Sequence, residues 1–297
     1  MMHRLPTASP PASTVVLITG CSSGIGRALA EEFNHRGYRV YATARELSAI
    51  EDLAAKQIKI ARLDVTDEPE IAEAVHHILT QESHIDILVN NAGYGAMGPL
   101  LDISKAALQR QFETNVFGLM SLVHQVTPAM IDQGGGVIVN IGSISGIFPT
   151  PFSGAYCASK SAVHTLSDVL RVELAPFNID VITVQPGAIQ SNFGNAATEQ
   201  LEGILKPDSV YGELEEGIRD RANLSQLNAL STEAFAKILV THMQNGRSRK
   251  PILRIGKQSI LLPFLKRWLP VRWLDQLLIK RFRLDRLRGK RKSNDQF

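Results

Sequence analysis

Thr19-Gly20-Cys21-Ser22-Ser23-Gly24-Ile25-Gly26 is the stretch on which the reading of this chain turns. An apolar, β-branched run, Val15 to Thr19, leads into it, and a helical pattern from Gly24 to Arg36 leads out. Glycines between a strand and a helix let the chain turn sharply and let backbone N–H groups approach a pyrophosphate. They also let the helix pack tightly on the strand, with its N-terminus facing the phosphate charge. The spacing is G-x-x-x-G-x-G rather than G-x-G-x-x-G, so the strand before and the helix after carry the case for a nucleotide site over a plain tight turn. Gly20, Ser22, Ser23, Gly24, Ile25 and Gly26 are the expected contributors.

Outward from that turn, short apolar runs alternate with helical stretches. The runs are Val15–Thr19, Tyr38–Thr43, Ile58–Asp64, Ile85–Asn90, Gly136–Gly142, Ile179–Gln185 and Pro251–Ile255. Between the first six lie helical patterns at Gly24–Arg36, Leu47–Ala55, Glu68–Glu82, Ser104–Gln133 and Ser153–Phe177. The runs are nearly continuous in apolar residues, as strands covered on both faces are. The expected fold is therefore α/β, a Rossmann-type doubly wound parallel sheet of about seven strands with helices on both faces. One domain spans residues 14–256, after a flexible arm at 1–13. A long polar insertion at 187–230 reads as a substrate loop, and a helix at Ser231–Gln244 follows it.

Nucleotide choice rests on the end of the second strand. A free ribose 2′-hydroxyl usually meets an acidic residue there, whereas a 2′-phosphate needs a cation. The strand ends Tyr41-Ala42-Thr43-Ala44-Arg45, with no carboxylate before Glu46. Arg45 offers a planar fork for the phosphate, and Ser22 or Ser23 adds a hydroxyl. This favours NADP(H) over NAD(H), with Glu46 as the rival feature.

Further motifs stand in order along the chain: Asp64 closing the third run, Asn90-Asn91-Ala92-Gly93 after the fourth, Asn115, Ser143, Tyr156-Cys157-Ala158-Ser159-Lys160, and Pro186-Gly187. Through these and the glycine turn, the chain resembles the classical short-chain dehydrogenase/reductase family over about residues 14–256. Thr19–Gly26, Tyr-Ala-Thr-x-Arg and Asn-Ala-Gly-Tyr-Gly are similar to the branch of the 17β-hydroxysteroid and retinol dehydrogenases and the acyl-dihydroxyacetone-phosphate reductases. The resemblance implies that Asp64 and Val65 contact adenine, and that Asn91, Ala92 and Gly93 line the ribose. It implies that Pro186, Gly187 and Ile189 flank the nicotinamide, with Ser191 where the family commonly carries threonine. It further implies that Lys160 holds the nicotinamide ribose, that Asn115 supports a water-linked proton relay, and that a homodimer forms through the Ser104–Gln133 and Ser153–Phe177 helices.

Tyr156 and Lys160 can be read without the family. A spacing of four puts both on one helix face. A phenol of pKa about 10 is a poor base near neutrality, but a Lys cation and an oxidised nicotinamide beside it favour the phenolate. Tyr156 can then exchange a proton with an alcohol or carbonyl while hydride moves. Ser143 would hydrogen-bond the reacting oxygen, with Ser145 as a competing candidate. The catalytic set is thus Asn115, Ser143, Tyr156 and Lys160. A catalytically silent NADP-binding or scaffold protein of the same fold is the alternative, and an intact set of four argues against it.

Bulk properties add the setting. The formal charge of +3 conceals an asymmetry: from Gly246 on, the chain holds 16 of its 32 Lys and Arg but 3 of its 29 Asp and Glu. That suggests an acidic partner for the C-terminus. Tail residues 257–297 interleave Lys and Arg with both tryptophans, Trp268 and Trp273, and many Leu. After Pro270, helical phasing gathers Val271, Leu274, Leu278 and Phe282 on one side, with Arg272, Lys280 and Arg283 on another. Such a basic amphipathic helix suits an anionic membrane surface, while packing on the domain or on a partner subunit is the competing reading. Its apolar content argues against nucleic acid, and Arg288–Phe297 is expected to be disordered.

No apolar run has transmembrane or signal-peptide length, and two cysteines make no disulfide framework, so a cytoplasmic, non-secreted enzyme is expected. The eight histidines show no ligand spacing, so no metal is expected. Tyr94, Met97, Ile147, Phe148, Pro149 and Phe152, with Phe193 and Leu201 of the insertion, suggest a lipophilic ketone, aldehyde or alcohol as substrate.

Overall fold

The computed structural model describes residues 14–190, 204, 206, 208–223, 229–246 and 249–287. The expected disorder of Arg288–Phe297 and the arm at 1–13 lie outside the described residues.

Seven parallel strands form one sheet: β1 (Val15–Ile18), β2 (Arg39–Ala44), β3 (Lys59–Arg62), β4 (Ile87–Asn90), β5 (Gly136–Ile141), β6 (Ile179–Pro186) and β7 (Ile252–Ile255). Their spatial order is β3-β2-β1-β4-β5-β6-β7. Every expected strand is present, and the ends differ by one or two residues. The central strands alternate between two apolar layers. Val16, Ile18, Val40 and Val89 pack on one face with Leu29, Phe33, Phe235 and Leu239. Val15, Leu17, Leu88 and Ile138 pack on the other with Ile71, Leu122, Val126 and Val163. Each fully buried Leu, Ile or Phe contributes about 1.5–3 kcal/mol, which is why runs of unbroken apolar sequence lie at the centre of the sheet.

Helices α1 (Gly24–His35), α2 (Glu51–Ala54), α3 (Glu68–Glu82), α4 (Lys105–Phe112), α5 (Gly118–Asp132) and α6 (Gly154–Glu173) connect the strands in sequence order. Asp67 and Ser104 cap α3 and α4 through backbone N–H bonds to their side chains. The helix expected over Ser104–Gln133 is present, running through α4, a π-helical turn at Glu113–Phe117 and α5 without leaving helical backbone. Beyond β6, Ala188 and Leu230 pin the base of the insertion through Leu230 N–H to Ala188 O at 3.0 Å and Gln190 N–H to Leu230 O at 2.8 Å. Inside it lies α7 (Glu215–Asn223), and after it α8 (Thr232–Met243), capped by Ser231.

The tail forms α9 (Leu261–Trp268) and α10 (Val271–Arg281). Leu274 and Phe282 are buried, and Phe152, Leu214, Ile218 and Phe282 make a third apolar cluster. Phe152 meets the Phe282 ring edge-on at 6.1 Å. Val271, expected on one side with Leu274, Leu278 and Phe282, is 73% exposed, because it is the first residue of α10 and among the described residues no element covers that end. Ile260, Leu261, Phe264, Trp268, Trp273 and Leu277 are also exposed. Among the described residues no helix is long and apolar enough to cross a membrane, and no His, Cys, Asp and Glu gather as a metal site.

Candidate active site

A cleft of about 1340 Å³ opens at the C-terminal ends of the strands, where the connections of β1 and β4 run to opposite sides of the sheet. Gly20, at φ +71°, turns the chain at its floor, and a Cβ there would lie 2.8 Å from the Ala92 Cα. A Cβ on Gly26 would lie 2.3 Å from the Gly20 carbonyl oxygen. Gly26 therefore packs α1 against the turn and does not itself reach the cleft wall, whereas Gly20, Ser22, Ser23, Gly24 and Ile25 line it. No side chain caps α1 at Ser23, which leaves the first-turn N–H groups facing the cleft to take an anion.

Thr19, not among the expected site residues, joins the turn to the opposite wall. Its Oγ1 accepts from Asn91 N–H at 3.1 Å and Ala92 N–H at 3.0 Å. The Asn91 amide returns bonds to the carbonyls of Thr19 and Gly20 at 2.8 and 3.0 Å. Asn91, Ala92, Gly93, Asp64 and Val65 all line the cleft. Asp64 also folds its own loop, accepting from the Thr66 N–H and hydroxyl. This contiguous cradle, in which added Cβ atoms would collide with backbone, fits a dinucleotide pyrophosphate. At the end of β2 Ala44 and Arg45 line the wall, and Glu46 does not. Arg110 lines the same cleft, brought from α4 with no signal in its own neighbourhood.

At the other end Ser143, Tyr156 and Lys160 come together, with Pro186, Gly187 and Ile189 beside them. Ser191, Phe193 and Leu201 lie outside the described residues. Ser143 hydrogen-bonds the Tyr156 hydroxyl and accepts from the Ser145 N–H at 3.1 Å, so Ser145 serves with its backbone and Ser143 with its hydroxyl. Burial pushes the Tyr156 phenol up to about 12, with the Ser143 hydrogen bond and the Arg221 charge only partly opposing it. Burial thus acts against the phenolate that Lys160 and an oxidised nicotinamide together are expected to favour. Lys160 donates to the Ile141 carbonyl at 2.7 Å, and burial brings it down to about 8.

Asn115 sits within the π turn, behind the wall. It donates to the Tyr94 carbonyl at 2.9 Å and to Ser159 Oγ at 3.1 Å, and accepts from the Tyr94 N–H at 3.0 Å. His164 is a further positioning group that the sequence did not single out. Its Nε2 accepts from the Ser143 N–H at 3.3 Å, and burial first, then the Lys160 charge, brings it down to about 4. It is neutral around pH 7, as an acceptor must be.

Of the apolar residues expected at the substrate end, Tyr94, Met97 and Phe148 line the cleft, while Ile147, Pro149 and Phe152 do not. The side chain of Phe152 turns instead into the third apolar cluster. Leu262 and Arg281 of the tail and Arg221 of α7 line the cleft as well, none of them foreseen. Cys21 is inert: burial pushes its thiol up to about 12. Cys157 is buried too, as packing residues are.

Comparison with known proteins adds its own findings. A model of the short chain dehydrogenase family matches residues 14–202. A probable short-chain type dehydrogenase/reductase, VdlC, of Helicobacter pylori is 33% identical over 263 residues, covering 89% of this chain and 96% of its relative. The NADPH-dependent 1-acyldihydroxyacetone phosphate reductase of Saccharomyces cerevisiae is 30% identical over 294 residues, covering 95% of this chain and 96% of its own. The solved structure of a short-chain dehydrogenase from Streptomyces avermitilis superposes with a TM-score of 0.75 at 28% identity, covering 92% and 97% of the two chains.

Proposed function

The chain belongs to the short-chain dehydrogenase/reductase family, and from that premise we propose that it is an NADP(H)-dependent oxidoreductase acting on a lipophilic ketone or aldehyde, or on the matching alcohol. The observation that carries this reading is the meeting of Ser143, Tyr156 and Lys160 on one wall of the cleft whose far end is the glycine cradle.

When bound in this cradle, a nicotinamide would supply hydride chemistry, to the carbonyl carbon or back from the alcohol. Tyr156, whose proton burial helps to retain, donates that Oη proton to the carbonyl oxygen during reduction and is reprotonated from solvent; in oxidation it takes the alcohol's proton and passes it to solvent. Ser143 Oγ donates a hydrogen bond to that oxygen as negative charge grows on it. Lys160, one turn along α6, sets a cation near the phenolate left behind, and would hold the nicotinamide ribose. Asn115 keeps the Tyr94 backbone and Ser159 in register beneath them.

Arg45 on the cleft wall, with no carboxylate there at the end of β2, supports NADP(H), as does the NADPH dependence of the yeast relative. That relative's substrate, with Tyr94, Met97, Phe148 and Leu262 around the cleft, supports an acyl-lipid or similarly greasy carbonyl. The exposed tail stripe with its interleaved Lys and Arg supports attachment to an anionic membrane. Exposed Leu108, Phe117 and Ile131 on and beside α4 and α5, with Val169 and Val172 on α6, support a homodimer. The proposed set tests itself in Tyr156→Phe: carbonyl reduction by NADPH is expected to fall at least about 100-fold, with NADPH affinity kept. Unchanged turnover would end the assignment.

A further inference from the structure

Arg221 is a charged side chain in an unusual position. It comes from α7 within the insertion, is only 8% exposed, and still lines the cleft. Its Nε donates to Thr150 Oγ1 at 2.8 Å and its Nη2 to Ser153 Oγ at 3.1 Å. Both acceptors are neutral. Among the described residues no carboxylate pairs with it; Asp102, which shares the cleft, accepts from Ser209 Oγ at 2.5 Å. Burial pulls Arg221 below its usual range. An uncompensated buried charge costs several kcal/mol, and here the surroundings add to it. Ser153 stands at the N-terminus of α6 and makes no side-chain cap, so the positive end of that helix faces the same spot as the guanidinium. A second cation, Arg281, lines the cleft from α10. Positive charge, fixed hydroxyl supports and access to the cleft thus meet at one place, and among the described residues no carboxylate pairs with the guanidinium.

Position gives that anion a place in the reaction. Ser153 precedes Tyr156 by one helical turn, about 5 Å of helix axis, so a group held by Arg221 lies a few bonds from an oxygen held by Tyr156. We propose that Arg221, backed by Thr150 and Ser153, is an oxyanion subsite that binds a carboxylate or phosphate carried by the substrate close to its reacting carbonyl. The substrate is then an amphiphile, with its anionic head on Arg221 and its apolar chain running toward Met97, Phe148 and Leu262. This deepens the carbonyl-reductase reading and rests on it for the placement of the carbonyl.

Binding tests the subsite without turnover. NADPH-loaded Tyr156→Phe protein is titrated with three probes of matched chain length, a short-chain 1-acyldihydroxyacetone phosphate, a 4-oxo fatty acid and a neutral 2-alkanone, and the fluorescence of bound NADPH is read. At least one anionic probe is expected to bind tenfold or more tighter than the alkanone, and which one does so separates phosphate from carboxylate. Adding Arg221→Gln is expected to erase that advantage, and Arg221→Lys to restore part of it. In the protein with Arg221 intact, inorganic phosphate should compete with the anionic probe and not with the alkanone, a readout that does not depend on how well the variants fold. Equal affinity for charged and neutral probes, or equal losses for both on Arg221→Gln, would overturn the subsite. Unchanged turnover in Tyr156→Phe would overturn the catalytic reading instead, leaving these affinities to be judged by themselves.

Discussion

Arg45 and His164 act by different means, one by direct contact and one through the stability of the fold. Arg45 is exposed on the cleft wall, so its proposed effect on nucleotide choice is a charge-assisted contact and little else. Arg45→Ala is expected to weaken NADPH on the order of 10- to 100-fold and NADH by less than about threefold, read from dissociation constants for the two; equal losses would remove it from that role. Ala44→Asp should push the same ratio further toward NADH by repelling the 2′-phosphate. His164 acts through stability. Its folded pKa of about 4 lies below its ordinary 6.5, so the folded protein resists a proton that the unfolded chain accepts. The stability it contributes is complete above about 6.5 and is lost as pH falls toward 4, on the order of 3 kcal/mol in all. His164→Gln should flatten the slope of unfolding free energy against pH in that window, as urea titrations at several pH values would reveal. At this scale the sequence was informative where a residue type has few uses, as with Tyr156 and Lys160. It was silent on His164, whose role depends on the Ser143 N–H pointing at it from another segment.

Among the elements, the glycine turn and the π turn set the site. Gly26 does its work by allowing α1 to touch the Gly20 carbonyl and the Asn91 amide. Gly26→Val forces that interface apart, with an expected loss of about 1–3 kcal/mol, and the NADPH affinity should fall with it because Asn91 holds both loops. A variant that keeps its melting temperature and its NADPH affinity would show that the packing is not needed. The turn itself was legible because strand, glycines and helix are contiguous. The π turn was not: apolar spacing over Ser104–Gln133 reads as one helix. The departure from it follows from contacts with other segments, the Asn115 amide on the Tyr94 backbone and Gly118 on the Val65 carbonyl, where a Cβ would lie 2.3 Å away.

Across the whole molecule, the tail joins charge to access. Phe282, with Leu278 beside it, anchors it on the insertion and Phe152, Leu262 and Arg281 reach the cleft, and Trp268 and Trp273 remain 67% and 68% exposed. A bilayer meeting that outer stripe would lie beside the cleft. Vesicles rich in phosphatidylserine should carry the full chain upward in a flotation gradient, less so at high salt. Trp268→Glu/Trp273→Glu should lower that partitioning at least tenfold while the melting temperature holds, since neither ring is part of the core. If the unaltered chain stays at the bottom of the gradient at low salt, the membrane reading fails.

The sequence by itself determined the α/β order of strands and helices, the nucleotide turn, and the residues proposed for proton transfer. Each of these is written in contiguous residues or in a fixed helical spacing, where local backbone geometry decides the outcome. Only the tertiary structure decided which of Ser143 and Ser145 turns its hydroxyl to Tyr156, and that Glu46 stays off the wall that Arg45 lines. It also brought Arg221, from 65 positions beyond Tyr156 in the chain, to the N-terminus of α6, and Leu262 and Arg281 to the cleft. Those arrivals depend on how distant segments pack, and nothing in the local pattern of a segment encodes what it will meet.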